Sequence, residues 1–178
     1  MKKVWVSRFA GDLDREMESA LEWLDWQRMI ASGTRVAVKP NLTYPTHKPG
    51  VTTTAAALEA LVRVLRTRTR NINIVESDGG CGAWTADEAF AGHGIVEICR
   101  RYDARAINLS NQPRESVEAD IAGRRIRIEL PKILIDETDA FITVPVPKLH
   151  AMTGVSLGFK NQWGCLPDVK RLRHHSDF

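Results

Sequence analysis

The chain has 178 residues, 43% apolar and 26% charged, with a formal net charge of +3; this is globular composition, which excludes wholesale disorder and allows one core. The cysteines Cys81, Cys99 and Cys165 form no C-x-x-C pair, so the chain carries neither a disulfide framework nor a zinc or iron–sulfur ligand set, and a reducing, cytoplasmic setting is expected. No segment approaches the ~20 consecutive apolar residues of a membrane span, so no membrane partner is expected.

Residues 3–7, "KVWVS", read as a short strand. From Asp12 the apolar set Leu13, Met17, Ala20, Leu21 and Leu24 recurs at helical spacing, with Asp14 and Glu16 favourably placed near the positive N-terminus. "RVAVKPN" follows, its contiguous Val36–Val38 run expected of a strand covered on both faces and ending near Lys39, because Pro40 cannot donate to a ladder. A polar loop leads to Thr53 or Thr54, the N-cap expected for "AAALEALVRVLR". "NINIVESD" is the next short apolar run ending in acids, and after "GGCGAW" residues 85–102 read as helical, with Gly92 and Gly94 weakening the middle.

"ARAINLS" gives a fourth strand, and "SVEADIAGRRIRIEL" alternates apolar and polar residues about Ala122-Gly123, the pattern of an antiparallel hairpin. "DAFITVPV" is a further buried strand. Strands alternating with helices predict an α/β fold, a mostly parallel sheet with helices on both faces, plus the antiparallel β-hairpin. One domain over 1–178 is expected. Its polar end, "RHHSDF", suggests a truncated larger domain of which this is the N-terminal part. The basic runs "RVLRTRTR" (63–70) and "KRLRHH" (170–175) lack interleaved aromatics; a solvated helix end and a loose tail account for them, which argues against a nucleic-acid partner.

Three of these strands finish in polar residues: Lys39 and Asn41, Glu76 and Asp78, Lys148 and His150. Ligands of open α/β sheets bind beyond the carboxyl ends of the strands. In "VPVPKLHAMTGVSLGFKNQWGC" (144–165), the Thr153–Ser156 segment can return Lys160 and Asn161 to that edge if it turns or begins a helix. Lysines supply positive charge, and Asn41, Asn161, Thr153 and Ser156 supply oriented hydrogen-bond donors, a set suited to a phosphate or carboxylate ligand. Glu76 and Asp78 have three open roles: pairing with the lysines, holding a divalent metal, or accepting hydroxyl protons. Asp78 before Gly79-Gly80 is equally a turn former. His150 and Lys148 are the candidate proton-transfer groups. The glycines fit neither a dinucleotide-binding nor a P-loop pattern.

"VAVKPN", "VTTTAAALEAL", "VESDGG" and above all "PVPKLHAMTGVSLGFKNQWGCLP" resemble the family called domain of unknown function 362. Its long motif matches Pro145, Lys148, His150, Thr153, Gly154, Val155, Lys160, Asn161, Gly164 and Cys165, while Val146, Leu149 and Ser156 stand where the family carries Lys, Thr and Thr. The resemblance spans about residues 34–167 and implies a domain that continues beyond the Lys-Asn pair. Some relatives carry iron–sulfur modules, which implies, as an alternative to an enzyme acting on an anionic metabolite, a non-catalytic module serving an iron–sulfur redox partner.

Overall fold

The computed structural model describes residues 4–121, 123–151 and 153–171. Its centre is a four-stranded parallel sheet made of β1 (Val36–Pro40), β2 (Ile72–Glu76), β3 (Arg105–Asn108) and β6 (Ala140–Val144), in the order β3-β2-β1-β6. β1 and β2 are buried at every position, which is why β1 opens as a contiguous apolar run; in β2 the run is interrupted by Asn73, itself buried. In register, Val36 lies opposite Ile72 on one side and Ala140 on the other.

Helix α1 (Leu13–Trp23) is capped by Asp12, whose carboxylate accepts from the Arg15 N–H at 3.1 Å. Helix α2 (Ala55–Arg66) is capped by Thr54, and Leu58, Leu61, Val62 and Leu65 face the core. Each such apolar side chain contributes roughly 1.5–3 kcal/mol when buried. Thr53 does a different job: its hydroxyl accepts from the Asn41 N–H at 2.8 Å and donates to the Val144 carbonyl at 2.7 Å, tying the ends of β1 and β6 to the start of α2.

The helical pattern expected over 85–102 is two helices, α3 (Ala86–Gly92) and α4 (Ile95–Tyr102), because Gly94 takes φ +71° between them. A Cβ on Gly92 would lie 2.0 Å from the Pro45 carbonyl oxygen, so the close approach of the 41–50 loop requires glycine there. α2, α3 and α4 pack one sheet face through Leu58, Leu65, Phe90, Ile95 and Ile98, with Met17 and Leu21 of α1 resting on the same cluster. The short helix α5 (Lys132–Asp136) and the turn after Gln162 cover the other face, where Ala37, Val75, Leu109, Ile133 and Cys165 meet.

The hairpin is present as β4 (Arg114–Ile121) and β5 (Arg124–Pro131), with Val117 opposite Ile128 and Ala119 opposite Ile126; Ala122 of its turn lies outside the described residues. After β6 the chain makes a second small hairpin, β7 (Lys148–His150) with β8 (Gly154–Ser156), then α6 (Gly158–Gln162).

One expectation is corrected: residues 4–10 form no strand, and Val4 and Val6 are 80% and 87% exposed. A short β-favouring run needs a neighbouring edge to pair with, and here Trp5 rests instead on Trp23, ring centroids 5.7 Å apart. Lys3 and residues 172–175 of the basic run lie outside the described residues. Among the described residues no helix is long and apolar enough to cross a membrane.

Candidate functional site

β2 and β3 are added on one side of β1, and β6 on the other. The sheet's growth therefore reverses between β1 and β6, the place where loops leaving the carboxyl ends splay apart. A cavity of about 330 Å³ opens there. Its lining includes Lys39 and Asn41 from β1 and its end, Glu76 and Ser77 from β2 and its end, Lys148, His150 and Ser156 from β7 and β8, and Lys160 and Asn161 from α6. Trp84, Trp163, Gly164 and Arg171 also line it.

At the cavity floor lies a buried ion pair. Lys39 Nζ donates to Glu76 Oε2 at 2.6 Å and to the Pro40 carbonyl at 2.7 Å, and the two residues are 1% and 5% exposed. The Glu76 carboxylate also accepts from the backbone N–H groups of Leu42 and Ser77, so both charges are compensated as burial requires. Of the three roles open to Glu76 from sequence, lysine pairing is the one its oxygens display. Gly164 seals the pair: a Cβ there would sit 2.6 Å from Glu76 Oε1 and 2.8 Å from Lys39 Nζ. Its carbonyl accepts from the Ser77 hydroxyl at 2.7 Å, locking the turn over the end of β2.

Asn161 is a buried clasp, its Nδ2 donating to the Lys39 carbonyl at 3.0 Å and the Thr143 hydroxyl at 2.8 Å. It thus holds α6 across the ends of β1 and β6. Lys148 donates to the Val51 carbonyl at 2.8 Å; burial, then the nearby Lys39 charge, holds it below the usual lysine range. Burial, then Arg171, does the same to Lys160, whose Nζ lies 5.5 Å from the Trp163 ring centre. The half-buried His150 accepts from the Thr153 N–H through Nδ1 at 3.4 Å. Cys165 lies beside the ion pair, and burial pushes its thiol up to about 11, so it is an inert packing group at neutral pH.

Two of the expected site residues stand apart from the cavity lining. Asp78 Oδ1 accepts from the Ala86 N–H at 2.8 Å and from Asn108 Nδ2 at 2.9 Å, joining the end of β2 to the start of α3 and the end of β3. Thr153 is exposed, and its hydroxyl donates to the Val155 carbonyl at 3.0 Å. Among the described residues, no group of three or more His, Cys, Asp or Glu side chains is arranged to hold a metal ion.

Sequence reasoning missed Arg171 by assigning it to a loose tail. Its Nη2 donates to the Asp78 carbonyl at 2.8 Å and its Nη1 to the Leu166 and Asp168 carbonyls at 3.3 and 3.4 Å, while burial draws it below its ordinary value. The available signal was Pro167-Asp168, a turn pair: the Asp168 carboxylate accepts from the Lys170 N–H at 2.8 Å and its carbonyl from the Arg171 N–H at 3.1 Å, bending the chain back. Trp84 was also missed. Its indole lies where a Gly79 side chain would be, 2.6 Å from an added Cβ, and stacks on Tyr44 with centroids 5.6 Å apart.

These features define an α/β protein with a cation-rich crevice at the switch point of a parallel sheet. The sequence matches the family described as Domain of unknown function (DUF362) over residues 36–178, and the chain belongs to that family. The match begins at the first residue of β1 and takes in the whole cavity lining. No curated protein and no solved structure matches the chain.

Proposed function

We propose that the cavity between the β1 and β6 ends binds a small anionic metabolite through its phosphate or carboxylate group. The observation that carries this reading is the convergence of Lys39, Lys148, Lys160 and Arg171 on one cavity whose lining, among the described residues, contains a single carboxylate, Glu76. Lys39 is the floor, fixed by that carboxylate, and the other cations form the wall that meets the ligand. Asn41 and Ser156 supply neutral donors, and Asn161 holds the wall in place.

In the catalytic form of the proposal, His150 and Lys148 move protons at the bound ligand. Both sit on β7 at the cavity, and a lysine held below its ordinary range is closer to the acid–base window than a solvated one. A cytoplasmic setting is part of the proposal, supported by three free thiols, two of them buried. Titration with inorganic phosphate, followed by calorimetry, tests the binding reading. Lys148→Gln and Lys160→Gln are each expected to weaken binding about tenfold, equivalent to about 1.4 kcal/mol. Affinity unchanged in both variants would remove the proposed role of the cationic wall.

A further inference from the structure

We infer that the anionic ligand is a free amphiphile of medium chain length, its charged head in the cavity and its hydrocarbon chain in an adjoining apolar groove. The inference rests on the anion-binding reading and names its substrate class. The groove has a volume of about 650 Å³. Ile128 and Leu130 reach it from β5, Phe141 from β6, Val155 from β8 and Phe159 from α6, with Leu166 beyond them.

Strand alternation makes this surface. In β5, Ile128 and Leu130 alternate with Arg127 and Glu129, so the hairpin offers the groove apolar side chains while its charged ones stay exposed. In β8, Val155 lines the groove and the next residue, Ser156, lines the cavity. β8 is thus a boundary between the two spaces. Phe141, Val155 and Phe159 are all exposed, and exposed apolar side chains gathered in one concavity mark a binding surface, unlike apolar residues scattered singly.

Two observations select the occupant. Lys160 and Trp163 line both the groove and the cavity, so the groove begins within one side chain's width of the anion site. Among the described residues Lys160 is also the one charged side chain of the groove lining. The groove's charged end is therefore cationic and abuts the cavity, which favours an anionic head there over a cationic one. A mainly apolar lining with a few polar groups, in a volume of this size, is the form of a small-molecule site; the polar members here are Thr153, Lys160 and Gln162.

Calorimetric titration of the 178-residue chain with ethyl, butyl and hexyl phosphate, each below its micelle concentration, and with hexanol tests this. A methylene buried in the groove tightens binding about fourfold, so hexyl phosphate is expected to bind at least about thirtyfold tighter than ethyl phosphate, and at least about tenfold tighter than hexanol. If ethyl phosphate binds and hexyl phosphate gains nothing, the amphiphile is overturned while the anion reading stands. If hexanol binds as tightly as hexyl phosphate, or none of the four binds, both fall. Val155→Ser and Phe159→Ser, at exposed positions and checked for folding by circular dichroism, should each shrink the gain from ethyl to hexyl phosphate by at least about threefold. Lys160→Gln should weaken both phosphates alike. A gain that survives in both serine variants places the chain elsewhere and overturns the assignment. So does a protein that sediments as a dimer and becomes a monomer in those variants, since a second copy then fills the groove.

Discussion

The two walls of the cavity are held by different forces. On the side of β1 and β2, Val36, Val38, Val62, Leu65 and Ile74 are all at 0% exposure, so apolar burial fixes the strands and, with them, Lys39 and Glu76. On the side of β6 to α6, Phe141, Val155, Leu149 and Phe159 are 39%, 53%, 88% and 93% exposed. Beyond the β1–β6 ladder and the packing of Ile142 and Val144 on the core, that wall is positioned by individual polar links: Arg35 with Asp139, Thr53 with the Val144 carbonyl, Lys148 with the Val51 carbonyl and Asn161 with Lys39. The cavity lies on the seam, its floor set by the core and its cationic wall by a few directional bonds. Elements held this way open more readily than packed core, a property suited to admitting a ligand.

The sharpest way to break this contrast is to remove a charge from the packed side. Glu76→Ala leaves the Lys39 ammonium buried without its carboxylate, and the expected loss is about 3–5 kcal/mol. Phe90→Ala, at a side chain 1% exposed in the helix-covered core, should cost a similar amount, about 3–5 kcal/mol, through the cavity it creates. Urea unfolding measures both. A Glu76→Ala loss below about 1 kcal/mol would mean that Lys39 reaches water or another anion once Glu76 is gone, contradicting a sealed floor.

A smaller effect is expected where the two sides are joined by the surface pair Arg35–Asp139. Hydrogen bonds from the Arg35 side chain, then from its backbone N–H, hold the Asp139 carboxyl down from 3.8 to about 2. A carboxyl depressed in the folded state stabilises fully above its unfolded value and loses that contribution as protons titrate it. Stability supplied by this pair is therefore present above pH 4 and lost as pH falls from about 4 towards 2. Asp139→Asn should flatten that part of the stability curve. An identical acid limb in the variant would show that the pair does not anchor β6.

The same division decided what could be read in advance. β1 was legible because a strand covered on both faces opens as a contiguous apolar run, and β2 because Ile72, Ile74 and Val75 dominate it despite the buried Asn73; Lys39, Asn41, Glu76, Lys148 and Lys160 could be grouped because strand ends converge at one sheet edge. Residues 4–7 misled because alternation reports β preference but not the presence of a neighbour to pair with. Arg171 was hidden because its place depends on an Asp168 turn and on carbonyls as remote as that of Asp78. Asp78 was ambiguous because a carboxylate that forms a turn and one that meets a ligand look alike in sequence; here its Oδ1 accepts from the Ala86 N–H and Asn108 Nδ2.

The smallest expected effect is the best control for the polar-held side. Phe159 is the same residue type as Phe90 and lies in α6 between Gly158 and Lys160, yet it is 93% exposed. If the attachment of α6 depends on Asn161 rather than on apolar packing, Phe159→Ser should change unfolding free energy by no more than about 0.5 kcal/mol. Asn161→Ala, which strips the Lys39 carbonyl and the Thr143 hydroxyl of a donor, should by contrast cost about 1–3 kcal/mol. Urea unfolding of the two variants side by side reads the difference directly, and inverted costs would show that apolar contact, not the Asn161 clasp, fixes this wall.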